Sequence, residues 1–328
     1  MVERTEEARD GVEPRRWRLR PATYRRLTLL AALALAVIIV TGALVRLTGS
    51  GLGCPDWPEC NRSSFVDVSS THGAIEQVNR LFTGLVALAV VLAVLGSLVR
   101  TPRRRDLTWL SLGLVVGVIG QVVLGGITVL TDLHPAAVQA HFVLSIVILT
   151  DALVLHQRAS EEPGPYRPTP DRALRRSVLA ASAVVGLTIV TGTVVTGTGP
   201  HGGDEDVRRF GFEITDVARI HSVTALVATG ALVWLAWRAR RGPAWGVIGE
   251  PLGAVLAALV VQGTVGYMQY FNGIPVPLVA FHVIGAVAVW WLVCRLTFAT
   301  RVPVPRIPPP PADVLSRPRE AQPSRINR

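Results

Sequence analysis

The chain has 328 residues, half of them apolar, with 33 basic residues that are all arginine and a net charge of +10 at neutral pH. Its apolar residues come in blocks of about twenty rather than in amphipathic stripes, which excludes an ordinary soluble domain and points to a polytopic membrane protein. The basic charge is dispersed over separate loops and tails, so it speaks for topology and anionic lipid and against a nucleic-acid partner.

Residues 1–26 mix arginine with Glu3, Glu6, Glu7 and Asp10. They do not resemble an acid-poor transit peptide and are expected to form a cytoplasmic tail. Eight apolar blocks follow, over about 27–46, 73–99, 107–130, 138–155, 177–197, 214–237, 245–270 and 278–299. Backbone polar groups find no water in lipid, so each block is expected to be a helix. The first lacks a small-residue cleavage site and ends in Arg46, so it is read as retained. With both termini and the loops near 100–106, 156–176 and 238–242 placed in the cytoplasm, 27 of the 33 arginines lie inside and six elsewhere. That asymmetry sets both ends in the cytoplasm.

The first outer loop reads GSGLGCPDWPEC. Outside the membrane, Cys54 and Cys60 can close a small disulfide loop, either structural or redox-active. The outer part of the second span carries Glu76, Asn79 and Arg80, with His72 one turn earlier on the same face. His141 lies about one turn into the fourth span, His221 in the outer part of the sixth, and His282 about one turn into the eighth. The polar stretch 157–176 reads as a cytoplasmic linker, and the proline-rich segment 300–328 as a disordered cytoplasmic extension. Cys294 reads as a small buried apolar residue, and His134, His156 and His201 receive no role.

Part of the chain occurs twice. Gln121 and His141 stand twenty residues apart, as do Gln262 and His282, and TGALVRLTGSG (41–51) returns as TGTVVTGTGPH (191–201). Two copies of a four-span unit give parallel halves, two four-helix bundles over 27–156 and 177–299. Every candidate ligand then lies on an even-numbered span near its outer end. Ionisable groups within a span are costly unless paired or functional, and two imidazoles on facing helices of an apolar bundle are the arrangement that holds a bis-histidine haem. His221 with His282 fits that arrangement. The repeat sets Asn79 opposite His221, so the first half keeps one strong axial ligand, His141. Either His72 supplies the second, or that iron is open on one side, with Glu76 beside it. Glu76 and Arg80 also form an i,i+4 pair, so a buried salt bridge is the plainer reading of Glu76. Arg46, Arg80 and Arg219 stand where they could meet haem propionates or simply snorkel to the interface.

The loop TGSGLGCPDWPEC, the IEQVNR segment and the repeated histidines resemble the heme A synthase family, over nearly all of 27–299. The resemblance implies an eight-span bacterial plasma-membrane enzyme that oxidises the C8 methyl of haem O to a formyl group, giving haem A for terminal oxidases. It implies haem b on His221 and His282, substrate haem on His141, Glu76 as a carboxylate needed for activity, and Cys54 and Cys60 as a pair that passes electrons. Haem O delivered by a haem O synthase, an electron donor outside the chain and the lipid bilayer are the implied partners, and a homo-oligomer is compatible with them. Asn79 departs from the family pattern, which most often has a fourth histidine there. Two alternatives differ in class: a non-enzymatic di-haem cytochrome b, which needs haems near both membrane faces, and a transporter, at which only Gln121 and Gln262 hint.

Overall fold

The computed structural model describes residues 18–161, 166–168 and 171–303. Each apolar block is a helix: α1 (Pro21–Leu47), α2 (Thr71–Val99), α3 (Arg105–Leu130), α4 (Pro135–Ser160), α5 (Arg172–Thr198), α6 (Ile214–Arg240), α7 (Trp245–Phe271) and α8 (Val276–Ala299). All eight are long and apolar enough to cross a membrane. Their surfaces show why. Trp109, Val116 and Phe271 are each at least 70 % exposed, and large apolar side chains line the outside of every span. Such a belt is stable in lipid and aggregates in water. The protein is a multi-pass membrane protein.

The helices run past the apolar blocks, because composition marks the hydrocarbon whereas capping residues mark the helix. Proline opens the first turn of α1, α4 and α8, where its missing N–H costs nothing. Ser70 caps α2 by accepting from the Gly73 N–H, and Asp171 caps α5 by accepting from the Leu174 N–H. α4 therefore reaches Ser160 and α5 begins at Arg172, which shortens the expected 157–176 linker. A second correction concerns the segment after α8. It was expected to be disordered from 300 onward, but β1 (Tyr166–Pro168) pairs antiparallel with β2 (Arg301–Pro303). The proline-rich tail beyond, and most of the N-terminal tail, lie outside the described residues.

Small residues let the helices approach closely. Gly113, Gly117 and Gly120 of α3 face Asp151, Ile148 and Leu144 of α4, and Gly96 of α2 faces Tyr24 of α1. α1 packs on α2 and α4, and α3 on α4; α5 packs on α6, and α7 on α8. α8 and α5 also lean on α1 and α4. Polar bonds cross that seam: Trp290 Nε1–H donates to Thr150 Oγ1 at 2.8 Å, and the Gln139 amide donates to Thr193 Oγ1 at 2.9 Å. At the outer end, the Gly51 N–H donates to the Gly203 carbonyl at 2.8 Å.

Candidate functional site

Three histidines occupy matching depths, one to two turns into α4, α6 and α8. His221 and His282 face each other with ring centres 6.2 Å apart and planes at 78°. Two metal–nitrogen bonds of about 2 Å, with half an imidazole beyond each, would set ring centres about 6 Å apart, a spacing close to that of these rings. His221 is already oriented for such a bond. Its Nδ1 lies 3.1 Å from the Thr188 carbonyl, which can only accept, so Nδ1 carries the proton and Nε2 keeps its lone pair. Thr191 Oγ1 stands 3.2 Å from the same nitrogen. His282 is half-buried, its Nδ1 buried and without a hydrogen-bond partner among the described residues, and its carbonyl accepts from the Gln262 amide at 2.7 Å.

The glycines beside these rings leave no slack. A Cβ on Gly192 would stand 3.0 Å from His221 Cε1, and one on Gly266 would stand 3.1 Å from His282 Cε1. Among the described residues, no three metal-ligating side chains converge. What this pair could hold is a metal that brings its own equatorial ligands, as a porphyrin iron does.

Around His141 the scaffold is the same. Its carbonyl accepts from the Gln121 amide at 3.0 Å, Gly125 faces its ring, and its Nδ1 is buried without a partner. Gln121 also donates to Ser145 Oγ at 2.7 Å. Across the bundle, Thr41 Oγ1–H donates to Asn79 Oδ1 at 2.9 Å, where Thr191 meets His221 in the other half. No hydrogen bond or ring contact joins His141 to Asn79, Glu76 or His72 among the described residues. His72 sits in the exposed first turn of α2, with Nδ1 2.9 Å from Ser50 Oγ.

Glu76 and Arg80 are committed elsewhere. Glu76 Oε1 accepts from Arg80 Nη2 at 2.6 Å and Nε at 3.0 Å, while Oε2 accepts from the Cys54 N–H at 2.8 Å. Arg80 also reaches the carbonyls of Cys54, Asp56 and Glu59. Cys54 and Cys60 are joined by a disulfide and buried, so the ion pair clamps the outer loop to α2. Trp57 of this loop lies against Gly126 of α3, next to the glycine that faces His141. Asn61 donates to Asp67 Oδ2 at 2.6 Å, and Ser69 N–H donates to Oδ1 at 2.9 Å. These bonds, those of Ser69 foremost, hold the Asp67 carboxyl below the usual carboxylate range.

Of the arginines considered as carboxylate partners, Arg80 is thus bound to Glu76 and the loop, Arg219 is exposed beside Asp216, and Arg46 donates to the Thr196 carbonyl at 2.8 Å. Sequence reasoning missed three features. Gln121 and Gln262 hold the backbone of the histidine helices, a role that their fixed spacing from His141 and His282 encoded. Thr41 and Thr191 orient the facing residues, as their place in the upstream echo allows. Arg209 carried no motif.

A family model described as Cytochrome oxidase assembly protein (COX15-CtaA) matches residues 25–294. The chain is similar to the Heme A synthase of Bacillus pumilus (strain SAFR-032), 29% identical over 133 residues, which is 40% of this chain and 43% of that protein. It is also similar to the Heme A synthase of Bacillus mycoides (strain KBAB4), 30% identical over 130 residues, 39% of this chain and 42% of that protein. The chain thus aligns with less than half the length of the curated relatives it matches.

Proposed function

This chain belongs to the COX15-CtaA family of cytochrome oxidase assembly proteins, and on that premise we propose that it oxidises the C8 methyl of haem O to the formyl group of haem A. The reading places it in the bacterial plasma membrane with both termini cytoplasmic, receiving haem O from a haem O synthase. Its two four-helix halves, 27–156 and 177–299, divide the work. The second binds haem b through His221 and His282, and the first binds the substrate haem through His141.

The observation that carries the proposal is the His221–His282 pair, at a spacing that suits one metal and with no third protein ligand. Haem b bound there supplies one-electron transfer. The chain's own residues supply the rest. Thr188 and Thr191 fix the His221 ring, and Gln262 and Gly266 fix the helix and ring of His282. Asn79, bonded to Thr41, offers an amide where an imidazole stands in the other half, which leaves the iron of the substrate haem with one strong protein ligand. Glu76 is an acceptor fixed by the Arg80 ion pair and the Cys54 N–H, so it stabilises positive charge developing beside it and ties that site to the disulfide loop.

His141, His221 and His282, all half-buried, stand near the same end of their helices. That favours an enzyme over a cytochrome that carries electrons from one membrane face to the other. The test is expression with haem O and extraction of pigment. The wild type yields haem A, His141→Ala yields only haem O, and Glu76→Ala yields little haem A. Normal haem A from Glu76→Ala removes that residue from the chemistry, and no haem A from folded, haem-loaded wild type defeats the proposal.

A further inference from the structure

The outer seam between the halves carries two guanidinium groups with no counter-ion. Arg46, in the last turn of α1, is half-buried, and its hydrogen-bond partner among the described residues is the Thr196 carbonyl of α5. Thr196 is its own counterpart in the upstream echo, so the two copies meet at equivalent positions and only one of them carries a cation. The second cation comes from the loop after α5. Arg209 packs its guanidinium against Gly202, where a side chain would run into it, and the Arg46 stem lies against Gly203. Both glycines are buried, and Gly203 has φ +112°, a conformation suited to glycine. The Gly203 carbonyl accepts from Gly51 N–H, which locks this loop to the first half.

The two arginines pack against the adjacent glycines Gly202 and Gly203, which brings two like charges to one stretch of this loop. Among the described residues, neither forms a salt bridge, and Arg209 makes no hydrogen bond. Burial alone holds the Arg209 guanidinium below its ordinary value. Two like charges in a partly desolvated site are costly unless an anion joins them. The nearby acids Asp204, Glu205 and Asp206 form no ion pair with either arginine.

We propose that Arg46 and Arg209 form an oxyanion site across the seam, which takes a propionate carboxylate of a haem bound in this protein. Its place at the outer ends of α1 and α5, the end at which the three histidines lie, favours propionate over the other source of the same chemistry, a lipid phosphate. A guanidinium fork binds either anion through charge-assisted bonds. The propionate assignment rests on the haem-binding reading above, and the arginine pair itself does not.

The test uses purified full-length protein as wild type, Arg46→Gln, Arg209→Gln, the double variant, and Arg46→Lys and Arg209→Lys as charge-retaining controls. Each is loaded with haem or with its dimethyl ester, whose propionates are neutral. The rate of pigment transfer to an apo-acceptor is measured, together with phospholipid phosphorus per protein. Wild type is expected to release the ester about ten- to a hundredfold faster than the free acid. The double variant is expected to release both at one rate, and the lysine variants to keep most of the difference. An unchanged ratio in the double variant with about one fewer phospholipid per protein keeps the oxyanion site and overturns the propionate assignment. An unchanged ratio with unchanged phospholipid overturns the site altogether. Wild type that takes up neither pigment contradicts the haem reading instead, and the phospholipid arm still tests the pair.

Discussion

In the α5–α8 half, Thr191 holds an imidazole, His221, that faces a second imidazole 6.2 Å away. In the α1–α4 half, Thr41 meets an amide, Asn79, at the corresponding place, there as the donor to Oδ1, and among the described residues His141 has no facing imidazole. The glutamine-to-carbonyl bond and the glycine against the histidine ring occur in both. Only the first half carries a disulfide loop, clamped by Glu76 and Arg80. Under the proposed function, a common scaffold with one donor exchanged would separate a closed metal site, suited to electron transfer, from an open one suited to chemistry.

The largest effects come from breaking the closed site. His282→Ala is expected to lower haem b content by about tenfold or more, because under the proposed function it removes a direct ligand, while His141→Ala leaves that haem in place and abolishes haem A formation; pigment per protein and extracted haem check both. Asn79→His sharpens the comparison by making the halves alike. A second low-spin signal is expected in the electron paramagnetic resonance spectrum, with turnover reduced by about tenfold as the open position closes.

Arg80→Ala acts on the loop and on Glu76 together. It leaves buried Glu76 without its cation, at a cost of about 3–5 kcal/mol, and limited proteolysis should then cut between Cys54 and Cys60 faster than in wild type. A smaller effect is expected from the glycines. Gly192→Ala and Gly266→Ala press on histidine rings at 3.0 Å and 3.1 Å, whereas Gly125→Ala stands at an ordinary 3.4 Å from His141. The first two should cost about 1–3 kcal/mol of stability and shift the haem b spectrum; the third should do neither.

The smallest effect concerns pH. The hydrogen bonds from Ser69 hold the folded Asp67 carboxyl below the 3.8 of an ordinary aspartate. Its contribution to loop order is therefore complete above about 3.8 and lost as pH falls through the lower folded value. Amide exchange of Ser69 should accelerate only in that acid range.

Much of this was legible in the sequence because lipid imposes one simple rule. A block apolar on every face must be a helix, and Leu30, Val116 and Phe271 announce their exposure to lipid by composition alone. The ends were less legible, since single residues such as Pro21, Ser70 and Asp171 decide them. The β1–β2 pair joins three residues to three others more than a hundred positions away, and no local pattern signals it. The His221–His282 pair was visible because duplication supplied an internal comparison. The bond from the Cys54 N–H to Glu76, and the approach of Arg209 to Arg46, depend on the paths of irregular loops, where spacing carries no geometric information.

The most direct test of the central claim is the near-infrared magnetic circular dichroism of the purified protein, with and without His282→Ala. The unequal-halves account expects one bis-histidine low-spin haem in wild type, lost in the variant, with any further haem released as haem O or haem A. Two equivalent bis-histidine haems in wild type, or a bis-histidine signal that survives His282→Ala, would contradict it.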